Sequence, residues 1–137
     1  MKKDKSLVHQ HCAAEKEINP VMIHLRREGV EKSIAHIVAE IIDYIPHSIV
    51  SRTIVKRTTG NVTILAYSQG KESVERLSPF ESYIQIIEGT ASILINDDAY
   101  ELGKGEGIIV PAHARHCFIA NQPFKMISTV IKSGYED

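Results

Sequence analysis

Two places in the chain bring together residue types that can do chemistry. Near the start, His9-Gln-His11-Cys12 offers three potential metal donors in four positions. His9 and His11 share a face only in an extended strand, where Cys12 points away, and no second ligand pair follows at a zinc-finger spacing. The tract therefore reads as a polar terminus. In the second half, His113, His116 and Cys117 fall within five residues. A Cys–His nucleophile needs both side chains on one side, whereas neighbours on a strand point to opposite faces, so Cys117 reads as a packed thiol. That leaves His116, which titrates near neutrality and could act as a general base or simply hydrogen-bond the interior. Just upstream, Gly103-Lys-Gly-Glu-Gly107 is glycine-rich. No Lys-Ser/Thr pair and no helix follow it, so it is a bend and not a phosphate loop.

These residues must be positioned by strands. From Ile49 onward apolar residues recur with period two, and the pattern predicts strands over 49–56 and 62–67, joined through Thr58-Thr-Gly-Asn61. It further predicts a hairpin of 82–88 and 90–96 around Glu88-Gly89, then strands over 99–102, 107–110, 114–119 and 124–131. Many short strands with glycine and proline turns indicate a barrel or sandwich. The N-terminal region reads differently. Asn19-Pro20 suits the start of a short helix that stops at Gly29. Ser33 then caps a second helix over 34–43, where Ile34, Ile37, Val38, Ile41 and Ile42 follow an amphipathic spacing. That stripe must be covered by the barrel or by a second subunit. His24 and His36 read as surface or boundary residues.

The chain has 137 residues, 16 basic against 17 acidic, and two cysteines. The length suits one domain with an arm, divided as arm 1–47, barrel 48–132 and tail 133–137. The even charge balance argues against a nucleic-acid groove. No apolar run approaches a membrane span, and no apolar signal core follows the basic first residues. Two cysteines do not make a disulfide framework. A cytoplasmic protein is expected.

Two segments carry a family resemblance, 70–89 and 105–116, with glycines at 70, 89 and 105, Pro111 and His116. They resemble the two motifs of the cupin superfamily, G-x5-H-x-H-x3,4-E-x6-G and G-x5-P-x-G-x2-H-x3-N, and the likeness extends over 48–132. It implies a mainly β fold, the double-stranded β-helix or jelly-roll barrel, here with short N-terminal helices before it. It also implies a metal site, but this chain departs from the pattern. The two histidine positions hold Arg76 and Ser78, the glutamate position holds Ser82, and His116 alone is kept. His113 takes a glycine position, and Ala120 the place of asparagine, with Asn121 one residue later. On this alignment Arg76, Ser78, Ser82, Ile84, Ile86, Ala114, His116 and Phe118 face inward, and Tyr83 and Gln85 face out.

The resemblance thus implies a pocket with Ile84, Ile86 and Phe118 as floor and one Arg, one His and two hydroxyls as polar groups. Arginine offers no lone pair and its charge opposes a divalent ion. Arg76 either takes over from the metal by binding a carboxylate or phosphate, or turns outward and pairs with Glu75 or Glu81. Ser78 and Ser82 could bond a ligand's oxygens or only water and backbone, and His113 could contact a ligand at the barrel mouth. The expected protein is a small-molecule-binding cupin without a cofactor, with Arg76, Ser78, Ser82, His113, His116 and Phe118 as ligand-binding residues, and a homodimer. One alternative is an enzyme using His116: a dioxygenase, isomerase or decarboxylase holding iron, manganese, nickel or zinc through it, or a metal-free epimerase. Another is a structural or regulatory dimer.

Overall fold

The computed structural model describes residues 21–25 and 29–133. Nine strands are present among them: β1 (Val21–His24), β2 (Ser48–Arg57), β3 (Gly60–Tyr67), β4 (Arg76–Leu77), β5 (Glu81–Ile95), β6 (Asp98–Gly103), β7 (Gly107–Val110), β8 (Arg115–Ile119) and β9 (Phe124–Ile131). They are hydrogen-bonded in the order β1-β2-β3-β9-β5-β8-β4, with β6 and β7 also paired to β5.

β5 organises this arrangement. Its first half pairs with β9 and β7, and its second half with β6 and β8. Ile84 and Ile86 from the first half and Ala91, Ile93 and Ile95 from the second lie in one core. Inward residues are even-numbered before Ile87 and odd-numbered after it. Such a change of parity requires an extra residue, and a register shift lies between Ile86 and Glu88. The expected hairpin of 82–88 and 90–96 around Glu88-Gly89 is therefore one long strand, Glu81–Ile95, that bulges and passes from one sheet to the other. Gly89 (φ +78°) permits the crossing, since a Cβ there would stand 2.2 Å from the Pro123 carbonyl oxygen.

The two sheets close over that core, which takes Ile49, Tyr67, Phe124 and Met126 from one and Leu102, Ala114 and Phe118 from the other. This is the double-stranded β-helix. A second cluster, Ile42, Val50, Ile64 and Ala66, lies on the outer face of the larger sheet.

The short N-terminal helices are not there. Residues 21–24 form β1, parallel to β2, and Leu25, Gly29 and Val30 donate backbone N–H bonds to Ser51, Thr53 and Ile54. A sheet edge supplies the partners that an isolated helix would have to find within itself. Asn19 and Pro20 lie outside the described residues. Over 34–43 only a 3-10 turn forms, Val38–Glu40. Its carbonyls are claimed by side chains from the sheet: Lys125 Nζ donates to Ala39 O at 2.6 Å and Arg52 Nη1 to Ile41 O at 2.8 Å. Ser68 Oγ adds a bond to Ile45 O at 2.5 Å. Ile42 is inserted against Val50, Ile64 and Ala66, while Ile34 and Ile37 are exposed, so burial does not follow the helical spacing. Cys117 is fully buried, as a packed residue should be, but it is disulfide-bonded and not a thiol. The tract His9–Cys12 lies outside the described residues.

Candidate functional site

The segment before β4 is strapped along β8. Gly70 N donates to Ala120 O, Ala120 N to Lys71 O and Ser73 N to Phe118 O, while Phe118 N donates to Ser73 Oγ at 2.9 Å. Continuing in this register, the β4–β8 pair sets Arg76 directly opposite His116 and Leu77 opposite Arg115. Sequence spacing alone separates Arg76 and His116 by forty positions; the ladder makes them neighbours.

Two concavities meet at this pair. An inner one of about 170 Å³ is lined by Met22, Leu65, Tyr67, Phe118 and Met126 with Ser73. An outer one of about 440 Å³ is lined by Val74, Glu75, Leu77, Ser78, Ser82 and Val130. Arg76, His116 and Ser128 line both and mark the neck where the two adjoin. Another groove, of about 420 Å³, runs along Leu25, Val30 and residues 53–57. It holds none of the candidate residues.

The expected site residues therefore largely converge. Arg76 and His116 share the neck, Ser78 and Ser82 the outer chamber, and Phe118 the inner one. Arg76 is exposed at the rim yet borders both chambers. Ser78 spends its hydroxyl locally, accepting from Phe80 N at 3.0 Å. His113 does not line either chamber. It is exposed at φ +67°, and its backbone N–H donates to Ser78 O at 2.6 Å, so it serves the turn. The expected floor is also different. Ile84 and Ile86 are sealed in the core, and the inner chamber is floored by Met22, Leu65, Tyr67 and Met126 instead.

His116 is half-buried, its ring edge-on to Phe118 with centroids 5.8 Å apart. Its Nδ1 lies 3.2 Å from the Ala114 carbonyl oxygen, which can only accept, so Nδ1 carries the proton and Nε2 keeps its lone pair. Burial lowers its pKa below the usual 6.5; the Arg76 charge lowers it further, while the Ala114 bond and the Glu75 carboxylate oppose the shift. Tyr67 stacks on Phe124 at 4.6 Å, and burial pushes its hydroxyl up to about 12, despite the neighbouring Ser73 hydroxyl and Arg76. It is a neutral donor at physiological pH.

Sequence reasoning missed Tyr67, Ser73, Ser128 and Met22. Period two on β3 and β9 could have found Tyr67 and Ser128, which face the same interior as Leu65 and Met126. Met22 was hidden by the expectation of a helix.

The fold family implies a divalent metal, and the residues present do not fit one. Of the four positions that would supply donors, two are neutral hydroxyls and one is a cation lying across from the single imidazole. No three His, Cys, Asp or Glu residues gather among the described residues.

With this geometry in hand, comparison with known proteins agrees on the class. Residues 64–130 match the cupin domain family. Over that stretch the chain carries a cupin domain. No curated protein matches it by sequence. Among solved structures it is similar to a conserved protein of unknown function from Streptococcus pyogenes, with TM-score 0.74, 25% identity, and coverage of 78% of this chain and 94% of that one. It is also similar to a cupin superfamily protein from Desulfitobacterium hafniense, with TM-score 0.73, 18% identity and coverage of 80% and 100%. A third is a Cupin 2 conserved barrel domain protein from Leptotrichia buccalis, with TM-score 0.67, 23% identity and coverage of 69% and 46%. No helix among the described residues is long and apolar enough to cross a membrane.

Proposed function

We propose that this cupin domain binds a small polar or anionic molecule in its barrel without a metal, and that Arg76 and His116 are the groups that hold it. The observation that carries this reading is the β4–β8 register, which sets a guanidinium opposite an imidazole at the neck between two chambers. Arginine's planar fork suits a carboxylate, and the Nε2 lone pair of His116 can accept from a ligand hydroxyl or a protonated oxygen. Ser82 and Ser128 add hydroxyls at the wall, and the exposed Arg76 can meet an incoming anion before it is enclosed.

Isothermal titration of the untagged protein with a panel of small carboxylates, alongside elemental analysis, tests this. A carboxylate should bind, and Arg76→Gln should weaken it by about ten- to a hundredfold, the worth of a charge-assisted hydrogen bond. Metal should be well below one equivalent in the wild type. Stoichiometric iron, manganese, nickel or zinc that His116→Ala removes would overturn the metal-free reading.

One observation favours an enzymatic alternative. His116, a candidate base, and Tyr67, a neutral hydroxyl, line the same inner chamber, and a proton-transfer reaction needs two such groups. Tyr83, by contrast, faces outward and is exposed. Exchange of a ligand C–H for deuterium, lost in both His116→Gln and Tyr67→Phe, would select this reading over plain binding.

A homodimer belongs to the proposal as well. Tyr83, Ile109 and Ile131 are 42%, 56% and 47% exposed on the outer face of the larger sheet, where β5 lies between β7 and β9. A second copy would cover them.

A further inference from the structure

The inner chamber differs from the rest of the site. Beyond the neck it is lined by Met22, Leu65, Tyr67, Phe118 and Met126 with Ser73, so it is mostly apolar and holds no charged group. A cavity of about 150 Å³ with apolar walls accepts benzene, and this one measures about 170 Å³. The neck, by contrast, carries one permanent cation, Arg76, beside an imidazole kept neutral at physiological pH. The Glu75 carboxylate lies in the outer chamber and opposes a second negative charge there.

We infer that the ligand is a monocarboxylate with a compact apolar group about the size of a six-membered ring. The carboxylate sits at Arg76, and the apolar group passes the neck into the inner chamber. This rests on the reading of Arg76 and His116 as the ligand-holding pair. It adds which way the ligand points and what it must look like. One cation matches one carboxylate, while a phosphate dianion would meet Glu75 with its second charge. Tyr67 and Ser73 line the same chamber and bond each other, which leaves one hydroxyl of the pair to donate to a carboxylate oxygen. Met22, from β1, closes one wall, so the N-terminal strand takes part in setting the size of the group admitted.

Titration of the full chain with acetate, benzoate, benzyl alcohol and inorganic phosphate tests the inference, repeated on Arg76→Gln, Met22→Phe and Leu65→Phe. Benzoate should bind at least about tenfold more tightly than acetate, because its ring leaves water for the chamber. Benzyl alcohol should be at least about tenfold weaker than benzoate, and phosphate no tighter than acetate. Met22→Phe and Leu65→Phe should each lower the affinity for benzoate more than that for acetate and so bring the ratio toward one; if one variant does not fold, the other carries the comparison. Equal affinity for benzoate and acetate, both lost in Arg76→Gln, would overturn the inference and leave the Arg76 site standing. A benzoate preference that survives both phenylalanine variants, or a preference for phosphate, would also overturn it. Absence of any Arg76-dependent binding would overturn the site reading together with it.

Discussion

Arg76 and His116 show how much one substitution in a motif can change. An arginine at a ligand position removes a donor and also installs a fixed charge where a cation would sit. The same charge helps keep His116 neutral, together with the larger effect of burial. The consequence for stability has a definite sign. The folded pKa of His116 lies below the unfolded value of 6.5, so between the two the unfolded chain binds more protons. The stabilising contribution is fully present above pH 6.5 and is lost as pH falls through the folded pKa. The difference in melting temperature between wild type and His116→Gln, followed from pH 8 to pH 5, should therefore be flat at the alkaline end and shift against the wild type on acidification. A flat difference throughout would show that His116 is not desolvated.

At the scale of elements, two features hold the barrel in its shape. The first is the crossing of β5 between sheets. Gly89→Ala would place a methyl 2.2 Å from the Pro123 oxygen and 3.0 Å from Phe124 Cα, in a backbone conformation that alanine avoids. Destabilisation on the order of 3 kcal/mol or more is expected from urea denaturation, or failure to fold. The second is the latch that presses 38–45 onto the outer sheet. Lys125, buried, donates to Ala39 O, lies 3.8 Å from Glu88 and sits 5.0 Å from the centre of the Tyr44 ring, while Tyr44 donates to Glu88 at 2.5 Å. Glu88 is partly exposed, so the ion pair itself counts for little. The larger cost of Lys125→Met comes from the Ala39 carbonyl left without its donor, about 1–3 kcal/mol. Hydrogen exchange should accelerate at Glu40 and Ile41, whose amides hold the 3-10 turn, with little change in β8.

For the molecule as a whole, the outer face of the larger sheet is covered unevenly. Residues 38–44 cover Val50, Ile64 and Ala66, while Tyr83 and Ile109, paired across β5 and β7, are exposed. The side chain of Tyr83 reaches over Gly107, where a Cβ would stand 2.7 Å from its hydroxyl, so this strip is a flat surface of ring and isoleucine. If a second copy covers it, Ile109→Glu should shift the sedimentation coefficient of the wild-type dimer to that of a monomer without lowering the affinity for a bound carboxylate. A single species of unchanged size in both proteins would remove this face from consideration.

Period two in the apolar residues, with turn residues at Thr58-Thr59, Gly105 and Pro111, was enough to specify β2, β3, β6, β7, β8 and β9 and hence a barrel. The strand faces are printed in alternation because a side chain on a pleated strand has only two directions. The motif frame likewise marked Arg76, Ser78, Ser82 and His116, which the barrel does bring to one pair of chambers. Other features were decided only by tertiary structure. Residues 21–24 and 34–43 take no helix because donors and acceptors on the sheet, from Lys125, Arg52 and the β2 edge, compete for their backbone, and nothing local announces them. The bulge at Ile87 turns an apparent hairpin into one strand, since Glu88-Gly89 is read as a turn until its partners are known. The inner chamber unites Met22, Tyr67 and Phe118, residues far apart in the chain. Each is locally an ordinary core residue, and only closure of the two sheets leaves a space among them.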